Sequence, residues 1–204
     1  MDPTFPQMKH FFWLVDEGKI TSKNFQVFLD KLDGELKPVV KDAISRPLLT
    51  RVGTIKVQPV KNLVASKFFN EKNSSVRIRY VGDNFRKCFY GKVEEQPNTD
   101  ETVLRYHTLN RRSVDGPIIK ELGGEDKVKT TLFHIAALIL KQPNGKQGAL
   151  LTNGYANIFY FHYINGVLRA VYVRWDGSGW DVGAYSVGTS VEWYAPYRVF
   201  SCDS

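Results

Sequence analysis

The chain has 204 residues, 43% of them hydrophobic and 24% charged, enough apolar material for one large or two small globular domains with a buried core. No run of about 18 apolar residues is present, which excludes a transmembrane helix. The formal net charge is +7 and uneven: residues 51–115 hold 13 basic against 7 acidic residues, whereas 1–50 are balanced at 7 against 7.

Residues 8–33 carry helical spacing, with Met8, Phe11, Phe12 and Val15 before Gly18, then Phe25, Phe28, Leu29 and Leu32 behind a Thr21-Ser22 cap. The second helix has no arginine, which argues against a DNA-reading pair. Pro38 and Pro47 bracket a short helix at Val39–Ile44. We therefore expect residues 1–50 to form a helical segment packed on a main domain of residues 51–204.

From Arg51 the period changes to two. Val52–Val57 and Val76–Val81 read as strands, the second with Val76, Ile78 and Tyr80 on one side and Arg77 and Arg79 on the other. Asn62–Phe69 reads as a short helix or turn, Phe85–Val93 as a strand or irregular hairpin, Glu94–Glu101 as a surface loop, and Val103–Leu109 as a strand. Gly123-Gly124 separates one short helix from the next. Glu125–Lys141 is expected to be a single helix, acidic at its start, apolar nearly all round and so buried, and stopped by Pro143-Asn144-Gly145.

Residues 156–187 read as an antiparallel meander of Asn157–Ile164, Val167–Trp175 and Trp180–Val187, joined by Asn165-Gly166 and Asp176–Gly179. A two-residue turn pairs Phe161 with Ala170, Phe159 with Tyr172 and His162 with Arg169. The second hairpin pairs Trp175 with Trp180 and Arg174 with Asp181. Both faces of this meander are apolar, so both must be covered. Tyr197–Ser201 reads as a last strand or edge segment. The expected fold is α+β: a mostly antiparallel sheet of six to eight strands, the 125–141 helix packed on it, and an N-terminal helical pair.

The basic middle suggests a surface for nucleic acid or another polyanion, through counterion release and long-range attraction. If Arg77 and Arg79 lie beside the Leu104–Asp115 stretch, they join Arg105, Arg111, Arg112 and Tyr106 in a phosphate-binding face with a ring for stacking. The same cluster supports metal-independent phosphodiester cleavage, a small enzyme or toxin with His107 as general acid or base and Asp115 as a further candidate residue. A third reading is a protein-interaction module using Trp193, Tyr194 and Tyr197. Against all three stands the ordinary solvent face of a half-buried sheet. His10, His107, His134 and His162 are scattered without metal-ligand spacing, and His134 reads as a core residue. With only Cys88 and Cys202, no disulfide framework or zinc ribbon is expected. Met1–Pro6 lacks the basic and apolar regions of a secretory signal. We expect a cytoplasmic protein without cofactor, metal or membrane partner, and non-enzymatic in preference to catalytic.

Two patches resemble a family of uncharacterised bacterial proteins to which no activity is assigned. They are Ser113–Ile119 with Glu121-Leu122-Gly123-Gly124, and Leu150–Tyr160 through the Arg198-Val199-Phe200-Ser201 ending, the resemblance running from about Gly53 to the C-terminus. It implies a bacterial, intracellular protein and assigns no site residue.

Overall fold

The computed structural model describes residues 13–14, 47–58, 60–91, 101–162 and 166–202. The chain divides into two compact units, Met1–Pro47 and Leu48–Ser204, and the fold below is that of the second. The helices expected within 8–33 and at Val39–Ile44, apart from residues 13–14, lie outside the described residues, as does most of the Glu94–Glu101 loop.

Strand β1 (Leu49–Val57) opens this unit, followed by helix α1 (Ala65–Phe68) and strand β2 (Ile78–Val81). Arg77 and Arg79 are exposed and Val76 and Ile78 buried, as the alternation requires, but the pattern breaks at Tyr80. The β2–β7 register shifts between Ile78 and Tyr80, which turns Tyr80 outward and Val81 inward.

Where a strand is expected at Phe85–Val93, the described residues form helix α2 (Asp83–Phe89), and residues 92–93 lie outside the described residues. Asp83 sits in its first turn, where negative charge suits the helix dipole. Phe85 and Phe89, four residues apart, are its two buried residues, so the spacing is helical.

Strand β3 (Thr102–Leu109) leads to α3 (Asp115–Glu121), and Gly123 and Gly124, both at positive φ, end that helix as the sequence indicates. The helix expected over Glu125–Lys141 is broken. It consists of α4 (Glu125–Val128), the two-residue strand β4 (Lys129–Thr130) and α5 (Leu132–Lys141). The break is at the threonines. Thr130 pairs with Phe161 and its hydroxyl donates to Tyr160 O at 2.9 Å, while Thr131 restarts the helix by accepting from the His134 amide at 3.3 Å. The His134 Nδ1 accepts the Thr131 amide at 3.1 Å, completing a reciprocal cap. Leu132 through Ile139 are all buried, as the absence of charge required.

The remaining strands are β5 (Ala156–His162), β6 (Leu168–Trp175), β7 (Trp180–Ser186) and β8 (Arg198–Cys202). The order β1-β3-β8-β5-β6-β7-β2, with β4 also on β5, makes one eight-stranded sheet. It is mixed, not mostly antiparallel: β2–β7, β5–β8 and β4–β5 are parallel. The terminal strand β8 is central, inserted between β3 and β5, and not an edge.

The second hairpin has the expected pairs, Trp175 with Trp180 and Arg174 with Asp181. The first is shifted by one residue. Tyr160 faces Ala170, Phe159 faces Val171, Phe161 faces Arg169 and His162 faces Leu168. The shift turns β6 over relative to β5, so Val171 and Val173 join Phe159 and Phe161, while Leu168 and Ala170 join Ile158 and Tyr160. Register is weakly specified where both faces are apolar, because either assignment buries hydrophobic side chains.

Both faces are covered. One lies under α5 with Phe69, Phe85 and Phe89; the other lies under Ile118, Ile119, Leu122 and Val128 of the α3–α4 region, together with Trp193. Each cluster is fully desolvated at its centre, where a large-to-small change such as Ile135→Ala costs about 2–5 kcal/mol.

Candidate functional site

The sheet order separates the arginines. β2, with Arg79 and Arg77 beside it, lies at one edge, and β3, with Arg105, is five strand positions away, about 24 Å at the usual inter-strand spacing of about 4.8 Å. The adjacency on which the joint basic face depended is not met.

The individual side chains are also engaged. Arg79 Nε donates to Asp181 Oδ1 at 2.8 Å, its Nη2 reaches Asp181 Oδ2, and it pairs with Asp176 as well. Arg105 donates to Ser201 Oγ at 2.9 Å and to Leu122 O at 3.4 Å, tying β3 to β8 and to the end of α3. Tyr106 stacks on Phe200 with ring centres 5.5 Å apart, and the Arg198 guanidinium lies 5.1 Å from its ring. Arg112 pairs with Glu192 and sits over the Tyr194 ring at 5.3 Å. Arg111 is half-buried in the segment after β3, and Arg77 is exposed.

His107 pairs in register with Arg51 and Val199, and Asp115 lies elsewhere, at the start of α3. Asp115 is 1% exposed, and its Oδ1 accepts from Tyr160 Oη at 3.0 Å and Trp193 Nε1 at 2.7 Å. Its Oδ2 is buried as well, and neither oxygen bonds to His107. Burial raises the Asp115 carboxyl above the usual carboxylate range, against the opposing bonds from Trp193 and Tyr160. Asp115 thus fastens the 187–197 segment to the sheet. A two-bond bridge between Ser113 and Trp193, at 3.0 and 2.7 Å, supports the same junction.

That junction shapes an open region of the surface. The helices α3 and α4 cover the β3–β8–β5 side of their face, and over β6 and β7 the covering is the 187–197 segment. Two clefts lie there side by side. The smaller, about 160 Å³, is lined by Tyr172, Tyr185, Trp193, Tyr194 and Tyr197 with Arg174. The larger, about 370 Å³, is lined by Tyr80, Asn84, Lys87, Gly183 and Ala184, and shares Tyr172 and Tyr185 with the first.

The shared tyrosines are stacked, ring centres 5.5 Å apart at 17°, and Trp193 meets both edge-on at 6.3 and 5.9 Å. Gly183 permits this: a Cβ there would stand 2.4 Å from Tyr172 Cε1. Burial, then the neighbouring Tyr185, pushes the Tyr172 hydroxyl up to about 12, so the Tyr172 phenol is a neutral donor at physiological pH.

Charge around the clefts is balanced. Asp181, 2% exposed, holds Arg79 and Arg174, the latter at 2.9 Å, with Asp176 adding a second carboxylate. Arg112 is offset by Glu192, and Lys87 by Asp83 nearby on α2. Trp193, Tyr194 and Tyr197, which the sequence singled out, do line this region, although Trp193 is buried and only Tyr194, at 48%, is widely exposed. Tyr172 and Tyr185 were missed because their shared face depends on the β6–β7 pairing with Gly183 between them. Gly183 opposite Tyr172 was the only available signal.

Among the described residues no group of three or more His, Cys, Asp or Glu is placed to hold a metal, and no helix is long and apolar enough to cross a membrane. No family model, curated protein or solved structure matches the chain.

Proposed function

We propose that the protein is a non-enzymatic interaction module that captures a segment of a partner protein in the tyrosine-lined groove over β6 and β7. The observation that carries this reading is the pair of adjoining clefts walled by Tyr80, Tyr172, Tyr185, Trp193, Tyr194 and Tyr197, in which basic and acidic side chains offset one another. Aromatic anchors in a concave, largely preformed site dominate binding energy at protein interfaces. A groove without net charge gives a polyanion little to gain, and a peptide backbone is uncharged.

One observation favours a second reading, the binding of nucleic acid or another polyanion: the excess of 13 basic over 7 acidic residues in 51–115, with Arg77 exposed.

The test is to pan a random dodecapeptide display library on the intact protein and to titrate the enriched peptides, alongside labelled single-stranded DNA, at low and near-physiological salt. Peptides should enrich with an aromatic or aliphatic anchor and bind with little salt dependence. Tyr185→Ala should weaken them by about 1–3 kcal/mol, the range of a typical aromatic anchor. Failure to enrich any peptide over a Tyr185→Ala/Tyr194→Ala control refutes the proposal. Oligonucleotide affinity that falls steeply with salt transfers the function to the basic residues.

A further inference from the structure

The edge of β7 points to how such a segment would be held. β2 pairs with β7 only along Ile78–Val81 against Trp180–Val182, and the last rung is the Gly82 amide donating to Val182 O at 2.8 Å. The chain then turns away into α2, while β7 continues to Ser186 with β6 still paired on its other side. Along a strand, successive residues direct their backbone groups to opposite neighbours. Trp180 N donates to Arg77 O and Val182 O accepts from Gly82, both on the β2 side. By that alternation Ala184 also directs its N–H and C=O away from β6, toward the larger cleft.

Ala184 lines that cleft and is 4% exposed. Among the described residues, none bonds to those two groups across the edge. Buried backbone donors and acceptors are nearly always satisfied, so an amide and a carbonyl at the floor of a cleft call for a partner with matching groups.

We infer that an extended segment of the partner protein adds to β7 as a short strand beyond the end of β2. Its backbone bonds to the Ala184 N–H and C=O, and one of its apolar side chains enters the adjoining tyrosine cleft. The occupant is a peptide because the edge offers one donor and one acceptor at strand spacing beside a tyrosine-lined cleft in which the charges offset one another. This inference rests on the function proposed above and specifies its binding mode.

The experiment uses the intact ¹⁵N-labelled protein and, as probe, the most enriched synthetic dodecapeptide from the panning. Affinity is measured with each peptide residue N-methylated in turn, and exchange of the Ala184 amide is followed with and without peptide. At least one N-methylation should weaken binding tenfold or more, and the Ala184 amide should exchange at least tenfold more slowly in the complex. Ala184→Pro, which removes an outward N–H while leaving the β6 pairs in place, should weaken binding similarly, with near-UV circular dichroism reporting the fold. If that variant does not fold, the methylation scan and the exchange measurement decide alone.

A peptide whose binding needs Tyr185 but ignores every N-methylation, and leaves Ala184 exchange unchanged, docks by side chains alone. That result overturns strand addition and leaves the proposed function standing. Absence of any binding peptide overturns both. Dimerisation that protects Ala184 and blocks the peptide assigns the edge to a second copy of the chain, which also overturns the inference.

Discussion

His134 gives a prediction whose size follows from the structure. It is 4% exposed at the start of α5, where Nδ1 accepts the Thr131 amide, and burial lowers its pKa to about 4 from 6.5. The folded protein therefore holds it neutral, while the unfolded chain takes up a proton below about 6.5. Its contribution is fully present above pH 6.5 and is lost as pH falls from there toward 4. At 1.36 kcal/mol per pKa unit, the loss by pH 4 is about 3 kcal/mol. Protonation also converts Nδ1 from acceptor to donor facing an N–H, which undoes half of the cap.

Replacing His134 by Gln retains an oxygen acceptor at the capping-box position and removes the titration. Urea unfolding of both proteins at pH 7.5, 5.5 and 4 is the assay. The wild type should lose about 3 kcal/mol relative to His134→Gln between the first and last of these, most of it below pH 6. Asp115, raised by burial, works in the opposite sense, its protonation favouring the folded state as pH falls, but it is common to both proteins and cancels in the difference. Parallel pH profiles for the two proteins would refute the argument that burial, and not some other acid-sensitive group, sets this dependence.

Two further substitutions probe the scaffold. Glu121 accepts the Leu48 and Leu49 amides at 2.9 and 2.8 Å, so Glu121→Ala should cost about 1–3 kcal/mol in urea unfolding and speed exchange of those two amides. An unchanged midpoint would show that water replaces the carboxylate without loss. Asp181→Asn removes the charge shared by Arg79 and Arg174, whose side chains remain 43% and 46% exposed and can be hydrated. The expected cost is about 1–2 kcal/mol, below the 3–5 kcal/mol of a fully buried broken pair, and a loss in the latter range would show the two guanidiniums to be effectively desolvated.

The sequence by itself determined the features that rest on local chemistry. Gly123-Gly124 stops α3, the uncharged run at Leu132–Ile139 is buried, and Trp175 meets Trp180 across Asp176–Gly179, each because a few neighbouring residues decide it. Tertiary structure decided what local pattern leaves degenerate. The β5–β6 register slipped by one because both faces of that hairpin are apolar and either pairing buries them. Thr130 left a helical run because Phe161 offered it a strand partner, an interaction about thirty residues distant. The arginines fell toward opposite sides of the sheet because β2 joined the outer edge of β7 while β3 paired with β1 and β8, a placement that no residue near Arg77 or Arg105 encodes. The tyrosine groove exists for the same reason: Tyr80, Tyr172, Tyr185 and Tyr197 come from four separate segments, and only the order of the strands and the Asp115–Trp193 fastening bring their rings together.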